Sequence, residues 1–270
     1  MKLQQLRSAV TCAVFCALTL STASAQIPDR LRRAAEQARR AGTLLPITTD
    51  KEIEIGRGIA ATVAGRYPVS GDSALTEYVN LVGLAVAGDA PRPDIAYRFA
   101  VLETPDVNAF AAPGGYIFIT KGALALIENE AELAGVLAHE VAHVNRKHVI
   151  EQIRKADVLG EVKDQSGITG EKLDLVVGQG TSVLFTGLSR EDEAASDSLA
   201  VVYAANVGYD PGGLAAFVTR LSQRPNSAPM LELLSTHPAP AERAVRIARI
   251  SQGRPAGATL AERYRSFVPR

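Results

Sequence analysis

The segment His139-Glu140-Val141-Ala142-His143 places the strongest constraint on what this 270-residue chain can form. Residues four apart lie on the same face of an α-helix, one turn from each other. Two imidazole nitrogens placed in this way can reach one metal ion at about 2.0–2.1 Å, the usual zinc–nitrogen distance. Glu140 projects from nearly the same face and can take a proton from a water at the metal. The segment therefore predicts a helix that carries a zinc site, with Glu140 as the catalytic base.

The surrounding sequence favours this helix, although the five-residue pattern also occurs by chance in helical proteins. Asn129 followed by Glu132 has the form of a capping box, and we predict one helix over 130–155. Three of the four histidines lie in this range. The third of them, His148, lies about 140° further round the helix than His143, so we expect a structural role for it rather than a metal contact. The apolar residues with helical spacing are Leu133, Val136, Leu137, Val141 and Val144.

A catalytic zinc site needs a third protein ligand and one open position, and Glu193 is the best candidate for that ligand. Glu193 and Asp197 are four residues apart on a predicted helix, so both carboxylates face the same way. One can bind the metal while the other orients a ligand histidine through its second ring nitrogen. An acidic first turn favoured by the helix dipole is the alternative, but it does not explain Asp197 one turn later. We predict that His139, His143 and Glu193 bind one zinc ion per chain, with Asp197 behind His139.

His237 is the one histidine outside the predicted metal helix, and it lies in a proline-rich stretch that is followed by Arg243. A lone histidine in a loop usually has no catalytic role. Near a zinc cleft it can either occupy the open metal position or stabilise the oxyanion of the reaction. Both roles stay open at this point, and Arg243 is a second candidate for the oxyanion.

The rest of the sequence indicates a mainly helical α+β protein with one small sheet ahead of the metal helix. Alternating apolar residues over 95–101, a short strand at 107–111 and a third strand at 116–119 predict the sheet. Gly and polar residues predict a mobile loop over 157–171, and prolines predict another over 224–239. The other predicted helices cover 29–41, 50–66, 73–87, 172–187, 189–207, 211–223, 240–252 and 259–266.

The first 25 residues have the pattern of a secretory signal peptide. A basic start is followed by an apolar run over 9–20, which is too short to span a bilayer, and by an Ala-Ser-Ala exit at 23–25. A retained membrane anchor is the alternative. Cleavage would remove both cysteines, so we expect no disulfide and no cysteine-bound metal. We predict an exported, periplasmic protein with a single domain over 26–270 and its core at about 47–252.

The charge of the chain does not favour nucleic acid as a partner. The full chain has 29 basic and 29 acidic residues, and loss of Lys2 and Arg7 with the leader leaves a net charge of −2. Nucleic-acid binding would require a strongly basic stripe. The one basic cluster is interpreted as a solvated helix face, with contact to an anionic membrane surface as the alternative. This cluster consists of Arg30, Arg32, Arg33, Arg39 and Arg40.

Four segments resemble, in the same order, those of a family of membrane-associated and periplasmic gluzincin metallopeptidases. This family includes the CAAX prenyl endoproteases, the HtpX heat-shock protease, the mitochondrial Oma-type proteases and the periplasmic BepA-type proteases. The resemblance runs from about Val107 to Arg246. Its segments are Asn108-Ala109-Phe110-Ala111-Ala112-Pro113-Gly114-Gly115, then 132–140, then Ser189-Arg190 with Glu193 and Asp197, then His237-Pro238 with Arg243.

The resemblance implies a zincin-like metalloprotease core with a small sheet packed beside the metal helix. It also implies zinc-dependent endopeptidase activity on protein or peptide substrates that are unfolded, damaged or misassembled. Asn108, Ala109 and Phe110 would border the cleft, where an extended peptide can add itself to an open sheet edge. The chain lacks the transmembrane helices of the prenyl-protease and HtpX types, so we do not expect prenylated substrates. We expect a soluble periplasmic member that acts on envelope proteins.

We expect peptide hydrolysis by a zinc-activated water, in which Glu140 takes the proton and later passes it to the leaving amine. The alternative is an envelope chaperone or assembly factor in which zinc is structural and proteolysis is slight. The presence of Glu140 argues against this alternative, because a purely structural site would not need it. An exopeptidase also stays open, since no residue visibly binds a free chain terminus.

Overall fold

Helices make up most of the described chain, and a three-stranded sheet precedes the helix that carries His139. The computed structural model describes residues 47–156, 158–159, 164–224, 228–237 and 239–268. The predicted leader, the predicted helix over 29–41 and the basic cluster lie outside these residues. In chain order the elements are α1 (Thr49–Arg66), α2 (Ser73–Ala87), β1 (Arg98–Leu102), β2 (Ala109–Ala112), a 3₁₀ turn (Pro113–Gly115), β3 (Tyr116–Thr120), α3 (Lys121–Leu126), α4 (Glu130–Asn145), α5 (His148–Lys155), a second 3₁₀ turn (Gln165–Gly167), α6 (Gly170–Thr186), α7 (Arg190–Asn206), α8 (Gly213–Ser222), α9 (Ala228–Thr236), α10 (Pro240–Ser251) and α11 (Ala261–Phe267).

The sheet has the order β1-β3-β2, which leaves β2 at an edge. β1 is parallel to β3 with Arg98 opposite Tyr116, and β2 is antiparallel to β3 with Ala109 opposite Ile119. The turn between β2 and β3 requires glycine, because Gly114 has a φ of 73°. The predicted mainly helical α+β fold with a small sheet is confirmed.

The sheet lies between two apolar clusters, because successive strand residues face opposite sides. Ala109 and Ala111 face the cluster built from α2, α4, α7, α8 and α10. Phe110 and Ala112 face the cluster built from α1, α5 and α6. Every residue of α4 from Glu130 to Val144 is buried. The metal-binding pattern is therefore held in the interior, where few water molecules compete for its side chains.

The start of α4 is fixed by hydrogen bonds that involve Asn129 and Glu132. The Asn129 side chain accepts from the backbone N–H of Glu132, and the Glu132 carboxylate accepts from the backbone N–H of Glu128 at 2.9 Å. Arg220 on α8 donates to both oxygens of this carboxylate at 2.7 and 2.8 Å. The carboxylate is 2 % exposed and the Arg220 side chain 23 % exposed, so solvent screens this ion pair only in part. These contacts set where α4 begins and hence which way its histidines point.

The predicted single helix over 130–155 is wrong. α4 ends at Asn145 and α5 begins at His148. Between them Lys147 adopts a left-handed conformation with a φ of 56°. Its Nζ lies 3.2 Å from Oε2 of Glu52 on α1, and this ion pair holds the break in place. The angular argument that separated His148 from the metal face therefore does not apply.

The predicted loop over 224–239 is also wrong, because α9 occupies Ala228–Thr236. Pro229 lies in the first turn of α9, where a helix does not need the missing N–H. The strand predicted from 95 begins at Arg98, and the helix predicted from 211 begins at Gly213. Of the helices in the described ranges, none combines the length and the apolar character needed to cross a bilayer.

Candidate metal centre

α4 and α7 pack against each other and bring His139, His143 and Glu193 to one point. Nε2 of His139 lies 2.9 Å from Nε2 of His143. The two oxygens of Glu193 lie 3.3 Å from Nε2 of His143 and 3.5 Å from Nε2 of His139. All three side chains are at least 96 % buried, since their exposed fractions are 4 % or less. The residues predicted as ligands are thus neighbours with converging donor atoms.

This arrangement fits a zinc ion. Ligand atoms 2.0–2.2 Å from one tetrahedral zinc lie roughly 3.3–3.6 Å from each other. The distances from the Glu193 oxygens to the histidine nitrogens, 3.3 and 3.5 Å, fall in this range. The distance between the two histidine nitrogens, 2.9 Å, is somewhat shorter. Oε1 of Glu193 is buried and makes no hydrogen bond among the described residues, an unusual state that a cation would relieve. Two imidazoles and one carboxylate are also the donor set of a catalytic zinc.

Asp197 lies one turn after Glu193 on α7 and supports His139 from behind. Its Oδ1 is 3.1 Å from Nδ1 of His139, the nitrogen that faces away from the proposed metal position. Arg243 on α10 donates to both oxygens of Asp197 at 2.8 and 3.1 Å. Arg246 donates to Oδ2 at 2.7 Å. The carboxylate is fully buried, and two guanidinium groups balance its charge.

Arg243 also contacts Glu193, with Nη1 3.0 Å from Oε2. Its side chain is 8 % exposed, so the guanidinium lies between two buried carboxylates on one helix. The fork geometry of arginine suits such a double contact. The structure therefore places Arg243 against Glu193 and Asp197.

Glu140 and His237 lie on the open side of the cluster. Glu140 is 3 % exposed and lines the cleft. His237 follows α9, with Nδ1 3.0 Å from Oε2 of Glu193 and Nε2 3.9 Å from Oε1 of Glu140. One donor atom from each of His139, His143, Glu193 and His237 lies within 4.8 Å of the others. His237 is therefore close enough to the ligand set to join it.

Burial and charge shift the pKa values of these groups in different directions. Burial disfavours a protonated His139, but the charge of Glu193 and the contact with Asp197 outweigh it and raise the pKa to about 9. Burial and the neighbouring His139 lower the pKa of His143 to about 3. Burial opposes ionisation of Glu193, yet the nearby histidines hold its pKa well below the usual value. Burial raises the pKa of Glu140. A metal ion that binds Nε2 of His139 would displace a proton, which would then be released to solvent.

The predicted substrate-binding residues border this cleft. Ala109 of edge strand β2 lines it together with Asn108 and Glu140, and Phe110 lines the adjoining side. Asn108 is fully buried, and its Nδ2 has no hydrogen-bond partner among the described residues. The cleft occupies about 410 Å³ including its open mouth. Its larger apolar lining residues are Val107, Val136, Leu214, Phe217, Val218, Leu221 and Leu233.

Sequence reasoning missed two residues that contact the predicted site. Arg246 follows Arg243 by three residues on α10, so helical spacing could have placed both guanidinium groups beside Asp197. His148 has its Nδ1 2.9 Å from Nδ1 of His143. No local signal reveals this contact, because the left-handed Lys147 that creates it is not a residue typical of that conformation.

Comparison with known proteins agrees with the geometry. The family profile described as Peptidase family M48 matches residues 73–251. The beta-barrel assembly-enhancing protease of Escherichia coli K12 is 25% identical over 255 residues, which cover 89% of this chain and 51% of that protein. The protein of the same name from Yersinia pestis is 30% identical over 219 residues, covering 75% of this chain and 44% of the relative. The mitochondrial metalloendopeptidase OMA1 of Arabidopsis thaliana is 32% identical over 158 residues, covering 57% and 32%. The chain thus spans about half or less of the length of these relatives.

Proposed function

The chain belongs to peptidase family M48, and on this premise we propose that it is a zinc-dependent endopeptidase that cleaves unfolded or misassembled proteins of the cell envelope. The observation that carries the proposal is the convergence of His139, His143 and Glu193 beside the buried Glu140. Two of the similar proteins are called beta-barrel assembly-enhancing proteases, which supports envelope proteins as the substrate class. The signal-peptide pattern over 1–25 supports export to the periplasm.

We assign the metal ligands to His139, His143 and Glu193. A bound zinc ion supplies Lewis acidity, which polarises the scissile carbonyl and makes a nearby water more acidic. Glu140 lies beside the ligands without belonging to them, in the position of a general base. It takes a proton from the attacking water and returns it to the leaving amine. Its burial keeps this carboxylate in a site from which bulk water is largely excluded.

His237 acts as a latch on the resting site. The Glu193 carboxylate can only accept a hydrogen bond, so Nδ1 of His237 carries the proton in their 3.0 Å contact. In a neutral imidazole Nε2 is then bare, and it can bind a metal but cannot donate to an oxyanion. We therefore favour the latch over the oxyanion role. Arg243 is assigned to holding Glu193 and Asp197, because its Nη1, Nη2 and Nε already face these carboxylates.

The cleft favours substrates with apolar side chains. Glu140 and Val136 of α4 line it together with four apolar residues of α8, which are Leu214, Phe217, Val218 and Leu221. A side chain next to the scissile bond would lose contact with water there, which stabilises a fully buried Leu or Phe by about 1.5–3 kcal/mol. Folded proteins keep such residues inside, whereas unfolded and misassembled proteins expose them. The edge strand β2 would align an extended substrate by main-chain hydrogen bonds.

The test uses the chain over 26–270, its matched Glu140→Gln variant and denatured casein as substrate. We expect one zinc per chain in both proteins, and hydrolysis by the parent that a chelator stops and added zinc restores. The variant keeps the size of the side chain and all proposed ligands but loses the base, so hydrolysis should fall by at least ~10²-fold. Full hydrolysis by Glu140→Gln, or activity that survives complete zinc removal, would show that the mechanism is wrong.

The assembly-factor alternative has a separate test, since the name of the two relatives refers to assembly. In cells that lack this chain, the assembly of envelope proteins is measured after the Glu140→Gln variant is supplied. If proteolysis is the function, the variant should fail to restore that assembly. Full restoration by Glu140→Gln would favour a chaperone with a structural zinc.

A further inference from the structure

His148 occupies an unexplained position behind the metal cluster. The left-handed Lys147 ends the path of α4 and turns the first residue of α5 back towards it. The His148 side chain is 7 % exposed, and its ring meets the ring of His143 edge-on, with centroids 5.0 Å apart. Nδ1 of His148 lies 2.9 Å from Nδ1 of His143. His148 is not part of the group that could hold a metal, so no ion would lie between these two nitrogens as it would between the two Nε2 atoms of His139 and His143. The short contact is therefore a hydrogen bond, in which one nitrogen donates and the other accepts.

The direction of this hydrogen bond follows from the other nitrogen of His143. Nε2 of His143 faces His139 and Glu193, so it is the nitrogen that would bind the metal. A ligating nitrogen carries no proton, and a neutral imidazole therefore carries its proton on Nδ1. His148 must then accept at its own Nδ1 and carry its proton on Nε2. We propose that His148 is a positioning residue that fixes the tautomer and ring orientation of His143.

Asp192 completes the arrangement on the far side of His148. Its Oδ1 lies 3.5 Å from Nε2 of His148, the nitrogen that must carry the proton. Its Oδ2 is held by the Ser189 hydroxyl at 2.9 Å and by the Gln152 amide at 3.2 Å, so the carboxylate cannot turn freely. Asp192 therefore favours the tautomer of His148 that accepts from His143. Through a second imidazole, it orients His143 much as Asp197 orients His139.

Two carboxylates of α7 therefore orient the two proposed ligand histidines. Asp197 faces Nδ1 of His139 directly, whereas Asp192 reaches His143 through His148. A histidine that only filled space would not need its nitrogens turned to a ligand on one side and to a carboxylate on the other. The Ser196 hydroxyl lies 3.4 Å from Nδ1 of His148, compared with 2.9 Å for Nδ1 of His143, so His143 is the nearer partner of this nitrogen.

The inference rests on the proposed binding of zinc by His143, and two variants of His148 test it. In His148→Asn the amide oxygen stands near the position of Nδ1 and can still accept. In His148→Leu the volume is kept but the acceptor is lost. Zinc affinity, measured by competition with a chromophoric chelator, should fall by about 10- to 100-fold in His148→Leu and stay near the parent value in His148→Asn. Circular dichroism and thermal unfolding of the metal-free forms check that each variant folds.

Nitrogen-15 NMR of the zinc-loaded parent gives a readout that needs no variant. We expect the proton of His143 on Nδ1 and that of His148 on Nε2. A proton on Nδ1 of His148, or equal zinc affinity in the parent and His148→Leu, would overturn the inference alone. Equal weakening in His148→Leu and His148→Asn would show that His148 acts by packing, which also overturns it. A parent that binds no zinc would overturn the proposed function and this inference with it.

Discussion

Replacing His237 with alanine should activate the enzyme if this histidine is a latch. Apart from the proposed bond to the metal, the latch is held among the described residues by the hydrogen bond from Nδ1 of His237 to the Glu193 carboxylate at 3.0 Å. Hydrogen bonds to charged groups contribute about 1.5–3 kcal/mol. The His237 side chain is only 11 % exposed, so water competes weakly for this contact. Because each 1.4 kcal/mol is a factor of about ten, release of the latch should raise the rate by roughly 10- to 100-fold.

The assay is the initial rate of casein hydrolysis by the parent and His237→Ala at equal zinc occupancy. Equal occupancy matters because the loss of a fourth ligand should also weaken zinc binding. The double variant with Glu140→Gln is the matched control, and it should be inactive if the added activity comes from the same site. A fall in kcat of about 10²–10³-fold would refute the latch and favour the oxyanion role. An unchanged rate would remove His237 from the mechanism.

Three further predictions concern the support of the site and the fold. Asp197→Ala should lower zinc affinity by about 10- to 100-fold, which competition titration measures; unchanged affinity would contradict its role behind His139. Burial opposes ionisation of Glu130, but hydrogen bonds from Arg263 and two tyrosines outweigh it and lower its pKa, so its stabilising contribution is present above the unfolded pKa and is lost as the pH falls through the folded one. Arg263→Met should therefore move acid unfolding, followed by circular dichroism, to higher pH, and a shift to lower pH would contradict this. Gly56→Ala should destabilise the protein, because the added methyl carbon would meet a backbone oxygen at 1.8 Å, whereas Gly65→Ala on the same helix meets nothing within 4 Å and should add up to about 1 kcal/mol of stability in thermal unfolding.

The sequence predicts the helices with clear caps closely. α2 has the predicted bounds Ser73–Ala87 and begins after Asp72, whose side chain accepts from the first turn. α7 begins after Ser189, which forms a capping box with Asp192. Both starts depend on bonds between residues three apart, and such local bonds can be recognised from the sequence.

The proline-rich stretch before α10 shows where local patterns mislead. Proline is excluded from a helix interior but suits a first turn, so Pro229 stands at the start of α9 rather than in the predicted loop. Pro240 has the same place in α10, where the predicted helix also begins. For Pro229, nothing in the neighbouring sequence distinguishes a loop from the first turn of a helix. The decision depends on whether the residues that follow find an apolar surface, and Met230 and Leu233 of α9 do so, being 3 % and 8 % exposed.

The proposed ligand set could be predicted because helical spacing alone brings His139 and His143 onto one face of a helix, and Glu193 and Asp197 onto one face of another. The position of His148 was not, because it depends on the turn at Lys147, which is held by Glu52 from a helix more than 90 residues earlier. A long-range ion pair of this kind leaves no trace in the neighbouring sequence. The proposed metal ligands are therefore easier to predict from the sequence than the residues that orient them, such as His148.

α7 supplies three acidic side chains to the centre from less than two turns of helix: Asp192, Glu193 and Asp197. Each residue advances a helix by 1.5 Å and turns it by about 100°, so deleting any one residue between Asp192 and Asp197 would rotate the later carboxylate away from its partner. Insertions or deletions in the connection before Ser189 would leave the relative positions of these three carboxylates on α7 unchanged. Across natural variants of this chain, insertions and deletions should therefore accumulate ahead of Ser189 and be absent from 192–197.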